Sequence, residues 1–388
     1  MRDHTHDEAS EPLPRATSGR EPSTVASVVT RFAAMTALLA ALSTSDVAAQ
    51  ATATWYIGTY TNDILVWDEA SERVVDRIKM RNFIPTGVTV GESGERLYVR
   101  EASGQIIEIV DVAAGQVVDE LTLNDDSVTV RINGFAPHPS DSKAVMQIMR
   151  YTKHIDRFTV EGPFVVEYDL LSKTVTDTIP LPDGREAGNV GFRYAPDGET
   201  LYFFATDIVA VDADSYEEID RWELSQPLEA GLGRTNFGTN SGTYDEEGVA
   251  TSLFRMTDPV QSRRMMGISR VRLAEQQVDF FTLGTAEPVG RFTLAPGGEK
   301  GYALYSEVGR YEFWEFDLVA ERVTRRHPFP GRPRMGLQVS ADGQKLYVHV
   351  AGNTIDVYDA ATFELLRVVE LDEDMTGVAI VPGAFPGG

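Results

Sequence analysis

Arginine is the side chain whose placement in this sequence most clearly indicates a chemical role. The guanidinium donates paired hydrogen bonds to carboxylates and phosphates. If arginines on neighbouring strands point toward one centre, their guanidiniums would form a ring that binds an anion. The alternative left open is that each arginine pairs with a carboxylate of a neighbouring unit and stitches the units together. The candidates, all in segments expected to form inner strands of a repeat, are Arg131, Arg193, Arg234, Arg291 and Arg334.

A second basic set lies in three segments that are longer than the repeat requires. They run from Arg150 to Pro163, from Arg255 to Met265 and, more briefly, from Ser306 to Tyr311. Because the chain carries a net charge of −24, a locally basic face would attract an acidic protein or a small anionic ligand. The binding candidates in these segments are Lys153, His154, Arg157, Arg263, Arg264 and Arg310.

Residues suited to catalysis or to metal binding are scarce. The chain has no cysteine and six histidines, which excludes thiolate catalysis and cysteine-ligated metals. His138 and His154 have no acid or nucleophile partner evident in the sequence, and no phosphate loop, dinucleotide fingerprint or nucleophile elbow occurs. We therefore predict no catalytic residue, no metal site and no intrinsic cofactor. The acidic balance also argues against nucleic-acid binding.

The element that must position these side chains is a repeat. An apolar strand ending in aspartate, a short turn and a second strand recur, as in IIEIVDVAAGQVVDEL and TIDVYDAATFELLRVV. One copy carries Leu273 in place of the aspartate. The spacing is about 43 residues, with extra length in the third and fifth copies that we expect between the middle strands. The marker aspartates are Asp68, Asp111, Asp169, Asp212, Asp317 and Asp359.

A second phrase precedes several copies and completes the unit. In FRYAPDGETLYFF and LQVSADGQKLYVHV, turn residues separate two apolar runs, which is typical of a β-hairpin. Each unit is thus predicted to form four antiparallel strands. Seven such units predict an all-β, seven-bladed β-propeller. The marker aspartates are expected to cap the turn after the third strand by accepting backbone N–H groups.

Closure of the propeller can also be predicted. The first unit starts at Trp55 without an inner strand, while the segment 375–380 near the C-terminus matches the inner strand at 85–90. A C-terminal strand that completes blade 1 would leave no open sheet edge in the ring.

The N-terminal 50 residues form a polar extension followed by a predicted secretory signal. Arg31 precedes an apolar run from Phe32 to Leu42, and Val47-Ala48-Ala49 resembles a cleavage site. The run is too short to span a bilayer, so no integral membrane segment is expected after its removal. We predict a periplasmic or secreted protein whose residues 51–388 form a single propeller domain. The alternative is a cytoplasmic tail with an apolar patch.

The Leu-Tyr-Val and Tyr-Asp phrases, as in residues 346–348 and 358–359, resemble the YVTN-type repeats of the quinoprotein-amine-dehydrogenase-like seven-bladed propellers. The resemblance covers residues 55–382. It implies a binding or scaffold protein, including the propeller subunit of a periplasmic redox complex whose quinone cofactor lies in a separate small subunit. It carries no cofactor-bearing residue over to this chain.

A rival resemblance lies at the start of the propeller. The segment 56–61, YIGTYT, is similar to the opening strand of lactonases of the 6-phosphogluconolactonase type. Those enzymes have a Gly-Pro-Arg-His phrase, and the nearest match, residues 331–335, carries Met335 where the histidine would be. The leading hypothesis is a non-catalytic binding protein, and the alternative is a lactone hydrolase.

Overall fold

The computed structural model describes residues 51–181, 190–205, 207–224, 235–238, 242–258, 260–350 and 352–383. The regular elements within these ranges are all β-strands. They form seven sheets of four antiparallel strands each, which we number as blades 1 to 7. The prediction of an all-β, seven-bladed propeller is confirmed.

The strands follow the chain in order, three in blade 1 and four in each later blade, with the last strand returning to blade 1. Their bounds are β1 Ala53–Thr59, β2 Asp63–Asp68, β3 Arg73–Lys79, β4 Pro85–Val90, β5 Arg96–Glu101, β6 Ile106–Asp111, β7 Gln116–Thr122, β8 Val128–Pro137, β9 Lys143–Lys153, β10 Phe158–Asp169, β11 Thr174–Ile179, β12 Gly191–Tyr194, β13 Thr200–Phe204, β14 Ile208–Asp212, β15 Glu218–Trp222, β16 Thr235–Asn236, β17 Val249–Thr257, β18 Arg264–Arg272, β19 Gln277–Thr285, β20 Val289–Leu294, β21 Lys300–Glu307, β22 Arg310–Asp317, β23 Arg322–Pro328, β24 Gly336–Val339, β25 Lys345–His349, β26 Thr354–Asp359, β27 Leu365–Glu370 and β28 Met375–Pro382.

The C-terminal strand closes the ring as the sequence predicts. β28 pairs with β1 in blade 1, with Trp55 opposite Ile380 and Ile57 opposite Val378. Blade 1 therefore has an inner strand of eight residues. The pairing joins the two ends of the described chain through backbone hydrogen bonds, which leaves neither terminal strand unpaired.

The core lies between the blades rather than within one centre. Seven apolar clusters each bridge two neighbouring blades, from blades 1 and 2 around to blades 7 and 1. The cluster of blades 7 and 1 contains Trp55, Trp67 and Tyr347, all fully buried. Alternate residues of each strand face one neighbour or the other, since strand side chains alternate with a period of two.

Antiparallel strands place their connections at two ends of the ring. The links between first and second strands and between third and fourth strands lie at one end, which we call the turn end. The hairpins between second and third strands, and the links between blades, lie at the other, which we call the hairpin end. The two ends differ in sequence and in the hydrogen bonding of their polar groups.

At the turn end the marker aspartates cap the turns as predicted. In each of the six, a side-chain oxygen accepts a backbone N–H two or three residues ahead. Asp359, for example, accepts the N–H of Ala361 at 2.9 Å and that of Thr362 at 2.7 Å. These carboxylates form their hydrogen bonds within the turns, which confirms their structural role.

The long segments lie where the sequence places them, with one difference. The third-blade insert extends β9 and β10 into a hairpin at the hairpin end. In blade 5, however, extra length also separates β16 from β17, at residues 237–248 of the turn end. There Tyr244 packs against the clusters of blades 6–7 and 7–1, and Thr243 hydrogen-bonds Gln338 of blade 7 at 3.4 Å. The expectation that the extra residues lie only between the middle strands was therefore incomplete.

The predicted signal and polar extension, residues 1–50, lie outside the described residues. Among the described residues, none forms a helix of the length and apolarity needed to cross a membrane.

Candidate functional site

A cleft of about 360 Å³ opens at the hairpin end where blades 5, 6 and 7 meet. Arginine from each of these blades lines it, together with one hydroxyl and an apolar wall. Its lining includes Arg255, Arg291, Ser306, Arg334, Leu304 and Met335. We call this the arginine cleft.

In the aligned sequences, Arg291 stands where the inner strands of five other blades carry glycine, and the structure places it in a bulge directly after Gly290. The inner strands read G-V-T-V, G-F-A-P, G-F-R-Y, G-L-Q-V and G-V-A-I in blades 2, 3, 4, 7 and 1, whereas blade 6 reads R-F-T-L. The glycines of this position are Gly87, Gly134, Gly191, Gly336 and Gly377.

At two of these glycines a side chain would be crowded by a neighbouring ring. A Cβ on Gly336 would lie 2.4 Å from the ring of His349, and one on Gly134 would lie 3.0 Å from the ring of Phe192. Arg291 escapes this crowding by leaving the register: Gly290 pairs with Leu304 and Thr293 with Tyr302, so a β-bulge lies between them. Bulges re-aim side chains next to functional sites.

The bulge puts Arg291 in a backbone conformation that arginine rarely adopts. Its φ is +54°, in the left-handed region that costs a non-glycine residue about 1 kcal/mol or more. Arg334, at the start of blade 7, has a φ of +62°. Both side chains are exposed, and neither forms an ion pair or a hydrogen bond with a described residue. Two strained, unneutralised arginines thus face one cleft.

Two further arginines near the cleft bind protein groups and stabilise its walls. Arg255 donates to the carbonyl of Val289 at 2.8 Å, which ties blade 5 to the inner strand of blade 6. Arg332 pairs with Asp356 at 2.5 Å and donates to two carbonyl oxygens of blade 7. Arg332 is thus held by three hydrogen bonds within blade 7, whereas Arg255 is tied to blade 6 by one.

His349 lies behind the cleft and is buried in a neutral state. It is 9% exposed and stacks edge-on against Trp55, with ring centroids 5.3 Å apart. Burial, and then the nearby charges of Arg332 and Arg291, lower the pKa of His349 to about 4. Its Nδ1 has no hydrogen-bond partner among the described residues. The imidazole therefore adds no positive charge to the cleft at neutral pH.

The structure does not bring all the predicted inner-strand arginines together. Arg131 lines a separate cleft between blades 2, 3 and 4 at the hairpin end. Arg193 lines a third cleft that reaches the turn end, where burial lowers its pKa and Asp245 and Glu92 partly offset the effect. Arg234 lies outside the described residues. Of the four predicted arginines that the structure describes, Arg291 and Arg334 share a cleft and the other two do not.

The insert residues form exposed hairpin tips rather than a part of the arginine cleft. His154 shares a hydrogen bond with the Thr159 hydroxyl at 2.9 Å, and Arg157 pairs with Asp156 at 3.3 Å. Ion pairs also involve Arg263 with Asp258 and Arg310 with Glu312. All six are exposed: Lys153, His154, Arg157, Arg263, Arg264 and Arg310.

Arg291 and Arg334 were predicted as site residues, but the feature that distinguishes them was not. A sequence signal exists for Arg291, since five aligned inner strands have glycine where it stands. No sequence signal indicates the bonding of Arg332 to Asp356 and to two carbonyls, or the burial of His349.

Comparison with protein-family profiles and with curated sequences found no match. Solved structures do match. AztD from Citrobacter koseri is 14% identical and covers 86% of this chain and 99% of its own, with a TM-score of 0.52. A functionally unknown protein from Desulfotomaculum acetoxidans is 14% identical and covers 85% of this chain and 98% of its own, with a TM-score of 0.50.

The dihydro-heme d1 dehydrogenase NirN is also similar, at 12% identity over 85% of this chain and 75% of that one, with a TM-score of 0.49. At these identities the similarity extends to the β-propeller fold alone.

Proposed function

We propose that this chain is a non-enzymatic, extracytoplasmic binding protein that holds a small anion in the arginine cleft. The observation that carries the proposal is Arg291, an arginine without an ion pair to a described residue, which a bulge and a left-handed backbone direct at the cleft. Backbone strain of this kind clusters at ligand-binding sites.

The lining of the cleft favours a doubly charged group with a short apolar part. Arg291 and Arg334 supply two guanidiniums, and Ser306 adds a hydroxyl. Guanidinium pairs bind phosphoryl and dicarboxylate groups through several charge-assisted hydrogen bonds. Leu304 and Met335 form the apolar wall. A volume of about 360 Å³ lies at the small end of the range for ligand sites.

Binding is favoured over catalysis because the ionisable groups that line this cleft are cations. A hydrolase needs a general base within hydrogen-bond reach of water or of a nucleophile. The imidazole of His349, behind the cleft, is buried against Trp55. The lactonase alternative is tested by measuring lactone hydrolysis with and without a chelator, and measurable turnover would replace the present proposal.

The binding test is calorimetric titration with phenyl phosphate and with inorganic phosphate at low and high salt. Arg291→Gly restores the repeat residue and should weaken binding by about tenfold to a hundredfold, the usual cost of losing a charge-assisted pair. The matched control is Arg264→Gln, an exposed arginine at a hairpin tip. If Arg264→Gln weakened binding as much as Arg291→Gly, the ligand would belong to the tips and not to the cleft.

The location and the assembly are further parts of the proposal. The signal-like segment before Gln50 supports export, and N-terminal sequencing of the mature protein tests it: a start far from Gln50 would contradict export. The resemblance to quinoprotein-amine-dehydrogenase-like propellers supports a partner subunit at the hairpin end. Arg263→Ala combined with Arg264→Ala should then reduce co-purification of that partner, and unchanged recovery would remove this hairpin from the interface.

A further inference from the structure

We infer that a second ligand site lies across the channel from the arginine cleft, between blades 2, 3 and 4, and that it takes a monocarboxylate with a flat apolar body. The cleft there has a volume of about 570 Å³. Arg131, Gln147, Phe135 and Phe192 line it. We call it the glutamine cleft.

The first observation is a buried amide whose donor is unused. Gln147 in β9 is 3% exposed, and its Nε2 has no hydrogen-bond partner among the described residues. A buried N–H group without an acceptor costs about 1–3 kcal/mol, so such groups are normally paired by protein, water or ligand. Since Gln147 lines the cleft, a ligand in the cleft can supply the missing acceptor.

The position of Gln147 in the repeat supports this assignment. It pairs with Gly134, just as His349 pairs with Gly336 and Phe204 pairs with Gly191. This position of the second strand therefore faces the inner strand at the hairpin end in several blades. An apolar residue suffices there, as Phe204 and Leu304 show, so the fold does not require an amide in blade 3.

The neighbouring Arg100 and Glu101 already have hydrogen-bond partners, whereas Gln147, Arg131 and the exposed amide of Asn133 have donors that no described residue accepts. Arg100 donates to the carbonyls of Ile132 at 3.3 Å and Asn133 at 2.9 Å. Glu101 accepts from the backbone of Ser103 at 2.6 Å and of Gln105 at 2.7 Å, so its carboxylate is occupied by its own turn. Arg131 is exposed and has no ion pair with a described residue.

The donor set and the walls together define the class of ligand. The Arg131 guanidinium and the Gln147 amide N–H together match the two oxygens of a single carboxylate, while the Arg100 guanidinium already donates to backbone carbonyls. Phe135 and Phe192 provide aromatic surface for a flat apolar body, since aromatic rings stack offset or edge to face. Benzoate is the simplest probe with both features.

The experiment is titration of the full chain with benzoate, followed by calorimetry and by ligand-observed NMR. Arg131→Gln should weaken benzoate binding by about tenfold or more, because it removes a guanidinium that no described residue neutralises. Gln147→Met keeps the volume but removes the amide, and should weaken binding by about fivefold to twentyfold. Arg291→Gly should leave benzoate binding unchanged, while Arg131→Gln should leave phosphate binding unchanged. The experiment therefore distinguishes a failure of the phosphate site from a failure of the benzoate site.

Three results would overturn the inference. Benzyl alcohol binding as tightly as benzoate would show that no carboxylate is recognised. Equal benzoate affinity in Arg131→Gln and the unmodified chain would place the ligand elsewhere. A lower melting temperature of Gln147→Met with unchanged benzoate affinity would assign the amide to an internal water. Since Arg131 is exposed, Arg131→Gln should fold even if Gln147→Met does not, so the charge test remains available.

Discussion

The two ends of this propeller use the same repeat in opposite ways. At the turn end, six marker aspartates cap their own turns in the same manner, and their hydrogen-bonding capacity is spent locally. At the hairpin end, the repeat is interrupted by Arg291, and the buried Gln147 Nε2 and His349 Nδ1 have no hydrogen-bond partner among the described residues. Regular polar residues thus stabilise the blades, whereas irregular ones mark the places where a ligand can contribute.

The two ends also differ in charge. Among the described connections at the turn end, Lys173 is the only lysine or arginine, while most of these connections carry carboxylates. A strand of six residues spans about 20 Å, more than the Debye length of about 8 Å at physiological salt. Carboxylates at the turn end are therefore screened from the hairpin end, where an anion can bind despite the net charge of −24.

The largest expected effect concerns the frame that both ends share. Removal of residues 375–388 deletes β28, its pairing with β1 and the buried side chain of Met375. Blade 1 then lacks its inner strand, and we expect loss of cooperative folding, measured by thermal melting and circular dichroism. Removal of 384–388 alone, which keeps β28, is the control. A melting temperature unaffected by the longer deletion would contradict closure as the source of stability.

A smaller effect is expected at the turn end, from Glu69. This side chain is 4% exposed and accepts the N–H of Ala341 at 2.8 Å. Burial raises its pKa to about 7, so its carboxylate becomes protonated more readily in the folded than in the unfolded state. Stability should therefore fall as the pH rises from about 4.5 to about 7.

Glu69→Gln should remove this loss and raise the free energy of unfolding above about pH 7 by up to about 3 kcal/mol. Denaturant unfolding at several pH values measures it. A pH dependence identical to that of the unmodified chain would show that Glu69 is not the group responsible.

At the hairpin end, His349 should change the pH dependence of stability in the opposite direction. Its pKa is lowered to about 4, below the unfolded value near 6.5, so the unfolded state binds the proton more tightly. Stability should fall as the pH decreases from about 6.5 to about 4, by up to about 3 kcal/mol. His349→Leu, which copies the residue of blade 6, should abolish this acid-induced loss. Acid unfolding that is unchanged in His349→Leu would rule out the imidazole as its cause.

The turn caps should each contribute less. Asp359→Ala removes the acceptor for two backbone N–H groups and should lower the free energy of unfolding by about 1 kcal/mol, as is usual for a lost cap. Asp359→Asn retains the acceptor and serves as the control. Phosphate and benzoate binding should be unaffected. Weakened binding in Asp359→Ala would break the distinction between a structural and a ligand-binding end.

The smallest stability effect should come from the residue proposed to matter most for binding. Arg291→Gly relieves the left-handed backbone but makes the unfolded chain more flexible, and these contributions oppose each other. We expect a change in unfolding free energy within about 0.5 kcal/mol, alongside the loss of phosphate binding. Strong destabilisation by Arg291→Gly would instead assign Arg291 to the structure of blade 6.

Much of the fold could be predicted because its signals are local. The turn phrases, the marker aspartates and the match between residues 375–380 and 85–90 report hydrogen bonds and strand patterns within a few residues. The site was predicted only as a set of arginines. Whether a given arginine is free or saturated depends on carbonyls of another blade, as with Arg100 and Ile132, and no local pattern encodes that contact.

The sequence by itself determined the number of blades, the closure by the C-terminal strand and the caps of the turn end, since each follows from periodicity and short-range hydrogen bonding. Only the tertiary structure decided which polar groups meet. It placed Arg291 beside Arg334, separated Arg131 from Arg193, and left the Gln147 amide unpaired in a cleft. The physical reason is that side-chain direction depends on bulges and on packing between blades, which join residues far apart in the chain.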